Sequence, residues 1–190
     1  MTEAAQQAQA CSMEDAKVTE TEVIVPGPKR FLREHLVMPD GYECDWYYID
    51  TPPSVMVVPV TPDGLIVMVR QYRHNLKRHV LELPAGTVGD GESTEDAARR
   101  ELAEETGYVV PDGQLSPLTV LHSLPSETTK WTHIYRAAMV TEGGLPTGDT
   151  EIERYFDMSV VLVPAGDAMA MLGREITSAD TISALVIACR

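Results

Sequence analysis

The feature of this sequence that most constrains its fold is a set of fixed spacings in which a glycine-rich loop leads into a strongly acidic helix. The spaced residues are Gly86, Glu92, Arg100, Glu101, Glu104, Glu105 and Gly107. Ser93 is a good N-cap with Asp96 three residues on, and Gly107 stands where a left-handed C-cap residue falls. The sequence therefore predicts a helix over residues 93–106 with both ends defined.

Three carboxylates share one edge of this predicted helix. At about 100° per residue, Glu101 and Glu105 lie roughly 40° apart, and Glu104 lies about 60° to the other side of Glu101. Carboxylates this close repel one another, and a divalent cation that prefers oxygen ligands, Mg²⁺ or Mn²⁺, removes the conflict. Arg100 is four residues from both Asp96 and Glu104, so we expect it to brace this edge by ion pairs. A solvated surface helix is the alternative, but it would not need the preceding glycine-rich loop.

The spacing resembles a known family signature. Read as G-x5-E-x7-R-E-aliphatic-x-E-E-x-G, it is similar to the Nudix box of the Nudix hydrolases, with Tyr108 at a final position that is usually aliphatic. Short motifs before the box, among them Gln71-Tyr72-Arg73 and Glu82-Leu83-Pro84-Ala85-Gly86, resemble the branch of ADP-ribose pyrophosphatases and nucleoside-diphosphate-sugar hydrolases. The resemblance extends over most of the chain.

The resemblance implies an α+β fold, an α/β/α sandwich in which helices cover a mixed central sheet, and 190 residues suffice for one such domain. We expect a disordered acidic tail over residues 1–22, a small antiparallel β region over 23–54 and the catalytic domain over 55–190. Similar enzymes are often domain-swapped dimers. The β region is therefore a candidate dimerisation element, and we expect a homodimer.

Hydrophobic patterning and turn residues predict the remaining elements. The predicted strands are residues 23–25, 31–37, 42–49, 55–60, 65–71, 118–121, 132–140 and 155–159. The predicted later helices are residues 165–173 and 178–189.

The resemblance also implies a mechanism. It makes Glu101 and Glu105 metal ligands, Glu104 a ligand or an orienting group, and the Ala85 carbonyl a further contributor, with Mg²⁺ as the cofactor and Mn²⁺ as a substitute. The ion activates a water for attack on one phosphorus of a diphosphate. The general base is expected in a loop beyond the box. Glu127, Glu142, Glu151 and Glu153 are the candidates there, and Glu151 or Glu153 is favoured.

Four residues outside the box are candidates for substrate binding. Arg73 presents a planar donor pair suited to phosphate, against the alternative of an exposed charge at a strand end. Glu82 is expected to accept hydrogen bonds from a base or ribose, unless its role is structural. Arg33 and Trp46 would reach a partner's site in a swapped dimer.

Composition narrows the partners and the compartment. A formal net charge of −14 argues against nucleic acid or an anionic membrane as the main partner. Cys11, Cys44 and Cys189 have no zinc-site spacing and are odd in number, which favours a reducing, cytoplasmic compartment. The first ten residues lack basic residues and an apolar run, and no stretch has the length of a membrane span, so we expect neither a signal peptide nor a transmembrane helix.

Three functions are left open by the sequence. The leading one is Mg²⁺-dependent hydrolysis of ADP-ribose or another ADP-sugar to AMP and a sugar phosphate. The second is hydrolysis of a different diphosphate, such as a dinucleotide, a coenzyme A derivative or a nucleoside triphosphate, because the turn at residues 123–127 lacks the glycine of ADP-ribose-directed members. The third is a module that senses a nucleotide without cleaving it, and the full set of three carboxylates argues against it.

Overall fold

The computed structural model describes residues 12–148 and 155–189. The chain divides into two compact units. One contains the chain up to Pro52 together with Leu124–Lys130, and the other contains Pro53–Ser123 together with the chain from Trp131 onward.

The first unit is built on a three-stranded antiparallel sheet in the order β1-β2-β3. Its strands are β1 (Lys17–Val25), β2 (Arg30–Val37) and β3 (Glu43–Asp50), and a 3₁₀ turn at Met13–Asp15 precedes them. Strand β1 begins well before the predicted Val23. All residues of β1 are exposed, so no alternation of apolar and polar residues marks its start. Pairing with β2 defines the strand instead.

The second unit contains a mixed seven-stranded sheet. Its strands are β4 (Ser54–Val60), β5 (Leu65–Arg73), β6 (Arg78–Glu82), β7 (Ala85–Thr87), β9 (Leu115–His122), β10 (Trp131–Ala138) and β12 (Ser159–Pro164), beside a separate two-stranded ladder of β8 (Tyr108–Val109) and β11 (Thr141–Glu142). The main path runs β12-β5-β4-β10-β9, with β6 on β5 and β7 on β4. Only the β4–β10 pair among these is parallel.

Helices cover both faces of this sheet, which confirms the predicted fold class. They are α1 (Thr94–Thr106), α2 (Ala165–Met171) and α3 (Ala179–Ala188). Alternate residues of β4 point to opposite sides, so Val55 and Val57 pack in one cluster with Leu102 of α1, whereas Met56 packs in another with Leu185 of α3. Burial on both sides explains the unbroken apolar run of β4.

The predicted helix over residues 93–106 is confirmed. The Ser93 hydroxyl accepts a hydrogen bond from the Asp96 N–H at 3.1 Å, and Gly107 ends the helix in the left-handed conformation, at a φ of 73°. Both ends were readable because capping is local in sequence.

The predicted strand over residues 155–159 is wrong. Tyr155 lies in a short 3₁₀ turn and strand β12 begins only at Ser159, where pairing with Arg70 of β5 starts. The sequence did not predict β6, β7 and β11, which have two to five residues each. Strands this short have too few residues for an alternating apolar pattern to be recognised, and only pairing with neighbouring strands defines them.

Among the described residues, no helix combines the length and the apolar character that crossing a membrane requires.

Candidate active site

Helix α1 lies with its acidic edge against strand β7. The Ala85 N–H donates a hydrogen bond to Glu105 Oε2 at 3.0 Å. Glu101 is buried, with 7% of the residue exposed. Its carboxylate lies so close to Gly86 that a Cβ added to that glycine would overlap it. A side chain at position 86 would therefore displace the Glu101 carboxylate from its observed place against β7.

Arg100 connects the carboxylates of this edge. Its Nη1 donates to Glu101 Oε1 at 2.8 Å and to Glu104 Oε2 at 2.9 Å. Its Nη2 also donates to the Thr87 carbonyl at 3.0 Å. The predicted ion pair with Glu104 is therefore confirmed. The predicted pair with Asp96 is wrong, because that carboxylate accepts a hydrogen bond from the Ser93 hydroxyl as part of the helix cap.

Glu92 is a further partner of Arg100, which helical spacing did not predict. The guanidinium donates to both of its oxygens, from Nε at 2.8 Å and from Nη2 at 2.9 Å, and the Gly89 N–H donates to the same carboxylate at 2.8 Å. These bonds, the Arg100 ones first, lower the pKa of Glu92 to about 2. The Glu92 carboxylate in turn contributes most to raising the pKa of Arg100. The sequence feature that could have indicated this pairing is the fixed position of Glu92 in the Nudix box.

The donor set fits a divalent cation that prefers oxygen. Two carboxylates share one guanidinium nitrogen, and a third binds the β7 backbone at Ala85. Within residues 12–148 and 155–189, no group of three or more His, Cys, Asp or Glu side chains is arranged to hold a metal ion alone. An ion held at this edge would therefore need waters or substrate oxygens to complete its coordination.

Two of the predicted substrate-binding residues lie together. Arg73, at the end of β5, donates from Nε to Glu82 Oε2 at 2.8 Å. The Arg73 side chain is 42% exposed and that of Glu82 is 15% exposed. The pair thus presents a cation at the surface and a carboxylate beneath it.

The other predicted residues lie elsewhere. Arg33 and Trp46 belong to the sheet of the first unit, where Trp46 is exposed. Arg33 forms ion pairs with Glu20, Glu22 and Asp45. Glu151 and Glu153, the favoured candidates for the general base, lie outside the described residues.

The two remaining base candidates have distinct environments. Glu127 is in the loop of the first unit, where its carbonyl accepts a hydrogen bond from the Ile49 N–H at 2.8 Å. Glu142 lies in β11 and accepts a hydrogen bond from the Tyr108 hydroxyl at 3.4 Å. Tyr108, the departure from the aliphatic residue of the box, is buried, and this burial raises the pKa of its hydroxyl.

Comparison with known proteins agrees with this geometry. Residues 50–176 match the NUDIX domain. The ADP-ribose pyrophosphatase of Bacillus subtilis is 31% identical over 153 residues, which are 80% of this chain and 80% of that protein. The ADP-ribose pyrophosphatase of Mycobacterium tuberculosis is 29% identical over 157 residues, 82% of this chain and 72% of that protein. A crystal structure of an ADP compounds hydrolase, 24% identical, superposes with a TM-score of 0.78 over 94% of both chains and shows the same fold. The chain belongs to the Nudix family.

Proposed function

We propose that this protein is a metal-dependent pyrophosphatase that hydrolyses ADP-ribose or another ADP-sugar to AMP and a sugar phosphate. The observation that carries the proposal is the acidic edge of α1, where Arg100 gathers Glu101 and Glu104 beside the β7 backbone that binds Glu105. Two relatives that each match about four fifths of the chain are named as ADP-ribose pyrophosphatases, which supports this substrate.

In this proposal Glu101, Glu104, Glu105 and the Ala85 carbonyl hold Mg²⁺, for which Mn²⁺ can substitute. When bound, the ion neutralises charge on the diphosphate and lowers the pKa of a bound water. The protein's own part is to orient the carboxylates. Arg100 does this for Glu101 and Glu104, and the Ala85 N–H does it for Glu105.

The general base in this proposal is Glu151 or Glu153. The residues just before this segment support the proposal, because the Gly148 N–H donates to the Glu104 carbonyl at 3.2 Å. The chain thus enters the segment with these glutamates from beside a proposed metal ligand.

Arg73 and Glu82 are proposed to bind substrate as a pair. The hydrogen bond from Arg73 Nε to Glu82 orients the guanidinium, and the positive charge of Arg73 still attracts phosphate oxygens. Glu82 would then act on the base or ribose while keeping Arg73 in place. Because the overall charge is −14, such local cations are needed to attract an anionic substrate.

We assign the first unit a role in a cytoplasmic homodimer. Several large apolar side chains of its sheet are exposed: Val23, Ile24, Val25, Phe31, Trp46, Tyr47 and Ile49. An exposed apolar surface of this kind is typical of protein interfaces. The predicted β region over residues 23–54 is the proposed dimerisation element, strand β1 extends it back to Lys17, and residues 55–190 are the proposed catalytic domain. Arg33 and Trp46 would act at a partner's site.

The test is product release from a panel of diphosphates with and without Mg²⁺. ADP-ribose leads the panel, followed by other nucleotide sugars, NADH, coenzyme A and nucleoside triphosphates. We expect metal-dependent release of AMP from ADP-ribose. The kcat/KM for ADP-ribose should be higher than that for any other compound of the panel. Cleavage of another compound alone would retain the chemistry and change the substrate, and nucleotide binding without cleavage of any compound would favour a sensor.

A further inference from the structure

Residues 141–148, here called the docking segment, are attached to the end of α1 beyond the proposed metal ligands. Strand β11 begins the segment and pairs with β8, which directly follows the helix. The N–H groups of Gly143 and Gly144 then donate to the Gly107 carbonyl at 2.8 and 3.1 Å. The segment is therefore bound to the residue that ends the helix.

A second attachment reaches the helix itself. The N–H groups of Thr147 and Gly148 both donate to the carbonyl of Glu104, at 3.0 and 3.2 Å. The last four carbonyls of a helix have no partner within the helix, and a last turn without partners frays. The turn stabilised in this way carries Glu104 and Glu105, two of the three clustered carboxylates.

Two glycines make this attachment sterically allowed. A Cβ at Gly107 would overlap the Gly144 carbonyl, and a Cβ at Gly143 would lie 2.6 Å from Cγ1 of Val109. At Gly144 a Cβ would meet nothing within 4 Å. The backbone of the segment thus lies against Gly107 at the helix end, Gly143 lies against the Val109 side chain of β8, and Gly144 faces open space.

From these contacts we infer that the docking segment is a positioning element for the metal-binding carboxylates. It holds the last turn of α1 in helical geometry, so that Glu105 reaches the Ala85 N–H and Glu104 reaches Arg100. The inference rests on the proposed metal role of these glutamates. None of the segment's residues is placed in contact with substrate.

The test uses one disruptive variant, its relief and a matched control. Gly143→Ala places a methyl group against the Cγ atoms of Val109. Val109→Ala removes those Cγ atoms, and the double variant combines both changes. Val109 is 43% exposed, so its truncation alone changes little. Gly144→Ala adds the same methyl group one residue later, where there is space.

The readouts are Mn²⁺ titration of the full chain without substrate, hydrogen exchange of the amides in the last turn of α1, and thermal unfolding. We expect Gly143→Ala to weaken Mn²⁺ binding about tenfold, the effect of one or two lost hydrogen bonds, and to speed exchange in that turn. The double variant should recover both properties. Gly144→Ala should match the wild-type protein.

Unchanged Mn²⁺ binding by Gly143→Ala with a lower melting temperature would overturn the inference, because the segment would then serve stability alone. An equal loss in Gly144→Ala would overturn it too, as would a wild-type protein that binds no Mn²⁺ with or without AMP. Normal Mn²⁺ binding without hydrolysis of ADP-ribose would contradict only the proposed substrate. The two failures are therefore distinguishable.

Discussion

Two arginines of this protein are each held by three carboxylates, yet their surroundings differ. Arg100, in the second unit, pairs with Glu92, Glu101 and Glu104. Arg33, on the sheet of the first unit, pairs with Glu20, Glu22 and Asp45. The carboxylates around Arg100 are 9–23% exposed, whereas those around Arg33 are 36–60% exposed. The same charges thus form a desolvated cluster in one unit and a solvated cluster in the other.

The direction of the pKa shifts does not distinguish the clusters. The pKa of Arg33 is raised, first by its hydrogen bond to Glu22, as that of Arg100 is raised first by Glu92. Exposure of the carboxylates is the difference that matters, because the two arginine side chains are similarly exposed, 29% for Arg100 and 20% for Arg33, and water screens exposed charges more than half-buried ones. We therefore expect loss of charge at the Arg100 cluster to have large consequences and loss at the Arg33 cluster to have small ones.

The largest effect is expected from Glu105→Gln, beside the Arg100 cluster. Glutamine retains an oxygen for the Ala85 N–H but removes the charge that we propose binds the metal. Metal assistance supplies several kcal/mol, and each ~1.36 kcal/mol is tenfold in rate, so kcat/KM should fall on the order of 10³-fold with little change in melting temperature. The control is Glu95→Gln, an exposed residue of the same helix that pairs with Arg99. Activity within twofold of wild type would remove Glu105 from the site.

Arg100→Gln should have the next largest effect. Removing the cation leaves three repelling carboxylates with little water around them, so the free energy of unfolding should fall by about 2 kcal/mol, less than for a fully buried pair. Urea denaturation measures this change. Added Mg²⁺ should recover part of it, since a divalent ion neutralises the same charges. No loss of stability would show that water reaches the cluster freely, and the comparison would then fail.

A smaller effect is expected from Glu92, and it depends on pH. The pKa of Glu92 falls from 4.5 to about 2 on folding, because Arg100 and the Gly89 N–H bind its ionised form. Its stabilising contribution is therefore complete above pH 4.5 and is lost as the pH falls towards about 2. The difference in unfolding midpoint between wild type and Glu92→Gln should shrink over this range. A constant difference would contradict the shifted pKa.

The smallest effect is expected from Arg33→Gln in the first unit. Its carboxylate partners are solvated, so their repulsion is screened once the cation is removed. Thermal unfolding at low and at moderate salt should give midpoints close to those of wild type. A loss as large as that in Arg100→Gln would show that ion-pair count, not desolvation, sets the effect.

The parts of the molecule that sequence reasoning identified are those specified by residues close together in the chain. Helix α1 was bounded correctly because its N-cap contact at Ser93 spans three residues. Strand β4 was identified because both its faces are buried. The start of β12 was predicted wrongly because it depends on pairing with β5, which lies tens of residues away in the chain. The pair of Glu92 with Arg100 was not predicted because it depends on the direction in which the Arg100 side chain turns.

Two features are readable along the chain alone: three carboxylates share one edge of a capped helix, and the chain belongs with Nudix proteins. Helical periodicity and capping act over about four residues, so they can be read directly along the chain. Three others exist only in the folded chain: this edge meets β7 at Gly86, Arg100 divides its donors among three glutamates, and residues 141–148 bind the end of the helix. Those contacts depend on sheet register and on close approach between segments distant in sequence, which no local pattern encodes.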